Sequence, residues 1–246
     1  MENSAIILDL DYTIFPTNTI SRKIVEPFFE NLSINLKSLF TEETIENIHI
    51  DLWKDSWDVV IEKYKIPKEV FLKSVKILES LKLKLQISTY SDYQIIRDYK
   101  IDKFLVTTGL TSLQKLKIEA LNIENDFKEI IINDRLIETK TKLDIFTELI
   151  DKYKLVPERT FVIGDNPNSE IQAGNELKLK TIQILRENIV KGTNAEYYIN
   201  SFSELKNIIK LVKALLPTAV WRNWGFRKTL KLVLYLQVRS LIYTFG

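Results

Sequence analysis

Two aspartates, Asp9 and Asp11, follow directly on the apolar tetrapeptide Ala5-Ile6-Ile7-Leu8. On an extended chain residues two apart leave on the same side, so both carboxylates face one volume. A third acid, Asp165, closes a second apolar run, Phe161-Val162-Ile163-Gly164, and Glu170 stands five residues further on. If these acids converge, their repulsion raises some of their pKa values unless a cation joins them. An all-oxygen donor set without His or Cys suits Mg²⁺. A divalent ion beside an anionic nucleophile suits phosphoryl transfer, because charge spreads over the transferring oxygens. Taken singly, an Asp-x-Asp is a common turn or cap, and Asp165-Asn166-Pro167 is a plain turn before a helix. The joint placement past apolar runs, with Thr107-Thr108-Gly109 past a third, is what points to a site.

Composition narrows the alternatives. The chain has no cysteine and one histidine, His49. Disulfide frameworks, zinc-thiolate sites and thiol catalysis are excluded, and Ser-His-Asp chemistry is disfavoured. Chemistry must run on carboxylates, hydroxyls and lysine. With 246 residues, 45% hydrophobic and 28% charged, the chain can bury a core and reads as one large domain or one with an insertion. The net charge of +2 is unevenly placed. Residues 217–246 carry Arg222, Arg227, Lys228, Lys231 and Arg239 and no acid, which leaves a slightly acidic remainder. A nucleic-acid-binding surface is therefore not expected. The first residues lack a signal-peptide pattern, and no stretch approaches the ~20 apolar residues of a membrane span, so a soluble, cytoplasmic protein is expected.

The elements that must hold these residues can be read from periodicity. Ala5–Leu8 has no polar alternation, as in a central parallel strand buried on both faces. From about Thr17 to Leu85 the pattern turns helical: Ile24, Phe28 and Leu32; Ile45, Ile48 and Leu52; Trp53 and Trp57; then Val70, Ser74, Ile77 and Leu81. Alternation then resumes. A helix at Tyr93–Tyr99 precedes a strand at Lys103–Thr107, and a helix with Leu113, Leu116, Ala120 and Leu121 on one face precedes a strand at Glu129–Ile132. A helix at Leu143–Tyr153, a strand at Arg159–Ile163, a helix near Ser169–Leu177 and strands at Thr181–Leu185 and Tyr197–Ile199 follow, before a closing helix at Phe202–Leu216. Such alternation predicts an α/β fold with a doubly wound parallel sheet. Ligands on such sheets bind at the carboxyl ends of the strands, where Asp9, Asp11, Thr107 and Asp165 all fall.

Ile7-Leu8-Asp9-Leu10-Asp11-Tyr12-Thr13 resembles the first motif, D-x-D-x-T, of the haloacid dehalogenase-like (HAD) hydrolases. Gly164-Asp165-Asn166-Pro167-Asn168-Ser169-Glu170 resembles the fourth, usually G-D-x-x-x-x-D, with Glu170 where the family has Asp. The resemblance covers about residues 5–205. It implies a Rossmann-like core over 1–16 and 89–216, a small helical cap over 17–88 and a basic apolar tail over 217–246. It further implies a Mg²⁺-dependent phosphatase acting on a small phosphorylated metabolite. In that reading Asp9 is the nucleophile, and Asp11 is the acid and then the base. Mg²⁺ is held by Asp9, Asp165 and the Asp11 carbonyl. Thr13, Asn166 and Glu170 support the site, and Tyr12, Thr108 and Gly109 contact the substrate.

Two positions stay open within the resemblance. The phosphate-holding Ser or Thr is Thr107, whose Val106-Thr107-Thr108-Gly109 resembles V-T-N-G, in preference to Thr89, which follows the strand-like Leu83–Ser88. The lysine is Lys142, at the helix start, in slight preference to Lys140. Asp11 favours a phosphatase over a dehalogenase, since an alkoxide leaving group needs an acid. A phosphomutase would share every residue named. A non-catalytic protein acting through its tail is the contrasting alternative, with Trp221 and Trp224 beside a basic amphipathic stretch suited to a membrane surface or a second copy.

Overall fold

The computed structural model describes residues 5–53, 56–80 and 84–215. These fall in two compact units, Met1–Ser203 and Glu204–Gly246. The basic tail, with Trp221, Trp224 and its five cations, lies outside the described residues, as does Leu81.

The first unit is built on β1 (Ala5–Leu8), β2 (Asp102–Thr108), β3 (Glu129–Asn133), β4 (Thr160–Gly164), β5 (Lys180–Ile184) and β6 (Tyr197–Ile199). Among the described residues they form one sheet in the order β3-β2-β1-β4-β5-β6, every neighbouring pair parallel. β1 and β4 are buried throughout, which is why both read as unbroken apolar runs. The chain winds outward from β1 to β3, then restarts at β4 and winds the other way. β1 and β4 thus flank the switch point where doubly wound sheets open a crevice at their carboxyl ends.

A helical layer intervenes along the chain between β1 and β2, which pair directly in the sheet: α1 (Glu26–Leu36), α2 (Glu42–Leu52), α3 (Trp57–Tyr64) and α4 (Lys68–Ser80). α1 starts with Glu26 and Pro27, and α2 is capped by Thr41, whose hydroxyl accepts from the Thr44 amide at 3.3 Å. Phe28, Leu32, Ile45, Ile48, Leu52, Val60 and Phe71 share one apolar core with Leu110 and Leu136 of the sheet's loops. The buried face of α4 is Phe71, Ser74, Val75 and Leu78; of the expected stripe, Ser74 is buried, Val70 packs partly buried against the core and Ile77 is exposed. Ser74 stays inside because its hydroxyl donates to Asn31 Oδ1 at 3.0 Å and accepts from Asn35 Nδ2 at 3.2 Å. His49 has a packing role: its ring lies edge-on to Phe29 and its Nε2 is 3.1 Å from the Ser33 hydroxyl.

The chain re-enters the sheet through Lys84–Tyr90, which forms no strand, and the Tyr90 amide donates to the Ile14 carbonyl at 2.9 Å. Then follow α5 (Tyr93–Asp98), α6 (Thr111–Leu121) after β2, α7 (Lys142–Tyr153) after β3, and α8 (Glu170–Glu176) after β4. Arg186 is buried between the rings of Tyr90 and Phe202 and forks onto Asp92 at 2.9 and 3.0 Å. The second unit contains α9 (Leu205–Leu215). No helix among the described residues is long and apolar enough to cross a membrane.

Candidate active site

The register of the sheet places Leu8 opposite both Leu105 and Ile163. Asp9 therefore leaves β1 beside Gly164 of β4, tied there by its amide, which donates to the Ile163 carbonyl at 3.0 Å. The chain then folds into a tight turn over Leu10–Phe15, with the Tyr12 amide donating to the Phe15 carbonyl at 3.0 Å. Closing that turn puts Tyr12 at φ +53°, a conformation unusual for an aromatic residue. Its phenol is held neutral by burial and by the charges of Asp11 and Asp165.

Lys142, the first residue of α7, reaches into the crevice and joins two acids. Its Nζ donates to Asp9 Oδ1 at 2.6 Å and to Glu170 Oε2 at 2.8 Å, all three side chains being buried. Thr141 fixes the start of α7 by a reciprocal cap with Asp144, which aims Lys142 inward. Glu170 opens α8, and its other oxygen accepts from the Asn166 amide at 2.7 Å. Gly164 makes this possible: a Cβ there would overlap the Glu170 carboxyl group. Lys140 pairs instead with Glu148 on the exposed surface, at 2.7 Å.

The carboxylates are crowded enough to resist ionisation. Burial, with repulsion from Glu170 and Asp11, pushes Asp9 up to about 7 against the pull of Lys142. Burial, Glu170 and Asp9 push Asp165 up to about 8. Lys142 is held well above the ordinary lysine range, because Asp9 and Glu170 outweigh its burial. One carboxylate oxygen each from Asp9, Asp165 and Glu170 lie within 4.8 Å of one another. One buried ammonium facing three acids leaves the cluster short of positive charge. Hard oxygen donors of this kind fit a divalent ion such as Mg²⁺.

Asp11 belongs to a second network. Its carboxylate accepts from Lys117 Nζ at 2.7 Å, Thr17 Oγ1 at 2.7 Å and Gln114 Nε2 at 2.9 Å. These partners overcome burial and hold its pKa below the ordinary aspartate value. The two Gln114 Nε2 hydrogens are shared among three acceptors, since Nε2 also lies 2.6 Å from the Thr107 hydroxyl oxygen and 3.1 Å from the Thr108 carbonyl. Thr107 thus accepts from Gln114 and keeps its own proton to give. Gly109 turns the chain into α6 at φ +148°, its amide donating to the Asn133 carbonyl at 3.1 Å. Thr13 is buried behind the turn; its carbonyl accepts from Arg186 at 3.0 Å, while its hydroxyl has no partner among the described residues.

Gln114 and Lys117 were not expected here. Periodicity assigns the inward face of α6 to Leu113, Leu116, Ala120 and Leu121, whereas Gln114, Ile118 and Leu121 are the residues buried. Their one visible signal is two long polar side chains three apart, beginning one helical turn into α6.

Beside Asp11 lies a cavity of about 280 Å³, lined by residues of the helical layer and of the loops after β2 and β3. Asp11, Thr17, Gln114 and Lys117 form part of its lining. Across its mouth Arg135 Nε is 3.3 Å from Asp58 Oδ2.

The family model described as haloacid dehalogenase-like hydrolase matches residues 6–184. A glyceraldehyde 3-phosphate phosphatase of Methanocaldococcus jannaschii is 30% identical over 112 residues, 44% of this chain and 49% of that protein. The pyrimidine 5′-nucleotidase PynA of Streptococcus pneumoniae is 28% identical over 130 residues, 49% of this chain and 54% of that protein. The chain thus spans about half the length of these two relatives. Among solved structures, the Bacillus subtilis HAD-hydrolase YfnB bound to magnesium superposes with a TM-score of 0.57 at 17% identity, covering 85% of this chain and 99% of that one.

Proposed function

Since the chain belongs to the haloacid dehalogenase-like hydrolases, we propose that it is a Mg²⁺-dependent phosphatase of a small phosphorylated metabolite. The observation that carries this reading is the buried Asp9–Lys142–Glu170 chain beside Asp165, with Asp11 held separately two residues along. The matched relatives named as a phosphatase and a nucleotidase support the same class of ester.

Asp9 attacks phosphorus and forms an aspartyl-phosphate; the ester bond breaks and the alcohol departs. Thr107 donates its free hydroxyl proton to a phosphate oxygen. Lys142 holds Asp9 in place and balances its charge. Asp11 gives the departing oxygen its proton, then takes one from the water that hydrolyses the acyl-phosphate. As it stands, paired with Lys117, Asp11 is a carboxylate and so already in the form that accepts that second proton. To act as acid Asp11 first takes a proton from solvent, which an arriving phosphate dianion favours by drawing the Lys117 charge to itself. The carboxylates of Asp9 and Asp165 and the Asp11 main-chain carbonyl would hold Mg²⁺, which supplies charge screening between two anions. The helices of residues 17–88 act as the cap that closes the site from water.

A panel of phosphate monoesters assayed with Mg²⁺ and with a chelator tests this, beside Asp9→Asn. Phosphate release that needs Mg²⁺ and falls at least about 1,000-fold in the variant is expected. Undiminished release from Asp9→Asn removes the mechanism, and isomerisation of a sugar phosphate without free phosphate makes the protein a mutase.

A further inference from the structure

The cavity beside Asp11 restricts the alcohol that can depart from it. Resting on the phosphatase reading, we propose that the preferred substrate is the phosphate monoester of an uncharged alcohol carrying a flat apolar ring, in preference to a polyol or a second anion. The cavity that Asp11 helps to line also has Phe29, Trp53, Trp57, Leu110 and Leu136 in its walls. Phe29 and Trp53 stack at 5.5 Å with their planes 20° apart, and Arg22 lies 5.1 Å over the Trp53 ring, so the indole is fixed in place. Trp57 is fixed too: it stacks on Phe28 at 5.0 Å and spends its N–H on the Leu52 carbonyl at 3.2 Å. A preformed aromatic wall favours a ring and asks little ordering of itself on binding.

The charged groups of the same cavity are already engaged. Asp58 faces Arg135, and Asp11 is taken by Lys117, Gln114 and Thr17. Asp134 accepts from the amides of Thr111 at 2.8 Å and Leu136 at 3.1 Å. A polyol would compete with these bonds and lay most of its hydroxyls against rings and leucines. Charge points the same way. The lining holds Asp11, Asp58 and Asp134 against Lys117 and Arg135, so a second phosphate or a carboxylate meets a surplus of acid. The volume, about 280 Å³, lies at the small end of ligand pockets and suits a single or fused pair of rings.

The test compares 2-phenylethyl phosphate with glucose 6-phosphate and glycerol 1-phosphate in the presence of Mg²⁺. All three are primary alkyl esters with similar leaving groups, so their ratio reads the cavity and not the chemistry. We expect kcat/KM to be at least about tenfold higher for the phenylethyl ester, and Trp53→Ala to bring that ratio towards one. A polyol ester turned over as well as or better than the phenylethyl ester overturns the inference and leaves the phosphatase reading standing. If no ester is hydrolysed, the phosphatase reading fails, and calorimetry on the wild-type chain decides the cavity. Tighter binding of 2-phenylethyl phosphonate than of 3-hydroxypropyl phosphonate by about tenfold upholds the apolar site; equal or weaker binding refutes it.

Discussion

Lys142→Met is the most informative single substitution. Methionine keeps the stem of the side chain and removes only the ammonium that joins Asp9 and Glu170. With the Lys142 side chain 7% exposed, and those of Asp9 and Glu170 at 9% and 2%, water cannot take its place. Removing one partner of a buried ion pair costs about 3–5 kcal/mol, which for a chain of this size lowers Tm by roughly 6–20 °C. Lys140→Met is the matched control, because Lys140 and Glu148 are both solvent-exposed, and it should leave Tm unchanged. The sign of the pH dependence follows from the acids left behind. Asp9 and Asp165 already have native values near 7 and 8, against 3.8 in the unfolded chain. The native state therefore holds protons that the unfolded state releases. Metal-free stability at this site is fullest below about pH 4 and drains away as pH climbs through 7 and 8. Losing Lys142 steepens that decline, so the variant's deficit should be large at pH 8, smaller at pH 5 and reduced by Mg²⁺ at either. Thermal unfolding followed by circular dichroism, at both pH values and with and without Mg²⁺, measures all of this. Equal Tm values for Lys142→Met and Lys140→Met at pH 8 would refute the reasoning.

Two further outcomes follow from the surrounding structure. Gly164→Ala should force the Glu170 carboxyl away from Lys142 and cost about 1–3 kcal/mol, and adding Glu170→Ser should recover most of that stability in urea unfolding. Asp92 is held below its ordinary value because hydrogen bonds from Arg186 and the Phe202 amide outweigh burial. Its contribution is present above about pH 4 and lost as pH falls through the lower native value, so Asp92→Asn should flatten the acid limb of a Tm-against-pH curve and lower Tm by a few degrees at pH 7.

The sheet was legible because burial on both faces leaves runs such as Ala5–Leu8 and Phe161–Ile163 without a polar break. The acids at the strand ends were legible for the same reason, since each terminates such a run. The choice between Lys142 and Lys140 was written locally: Thr141-Lys142-Leu143-Asp144 is a capping box, and it makes Lys142 the first helical residue. Where buried polar groups pair with one another, periodicity fails. Ser74 was read on the buried stripe of α4, but its partners Asn31 and Asn35 were not, and Gln114 turns inward to serve Thr107 and Asp11. Neither partnership is local in sequence, so no window along the chain displays it. Lys117 meets Asp11 across 106 positions for the same reason.

The bond between the Tyr90 amide and the Ile14 carbonyl closes a neck on roughly 75 intervening residues. Seen from the sheet, everything beyond that neck is a single long excursion with its ends clipped together. Doubling the length of such an excursion costs only about 0.6 kcal/mol of closure entropy. Asp9 and Asp11 precede the clip, and Lys142, Asp165 and Glu170 lie well after it. The length and sequence of the excursion can therefore change at little cost to its closure, while the acids at the strand ends keep their places.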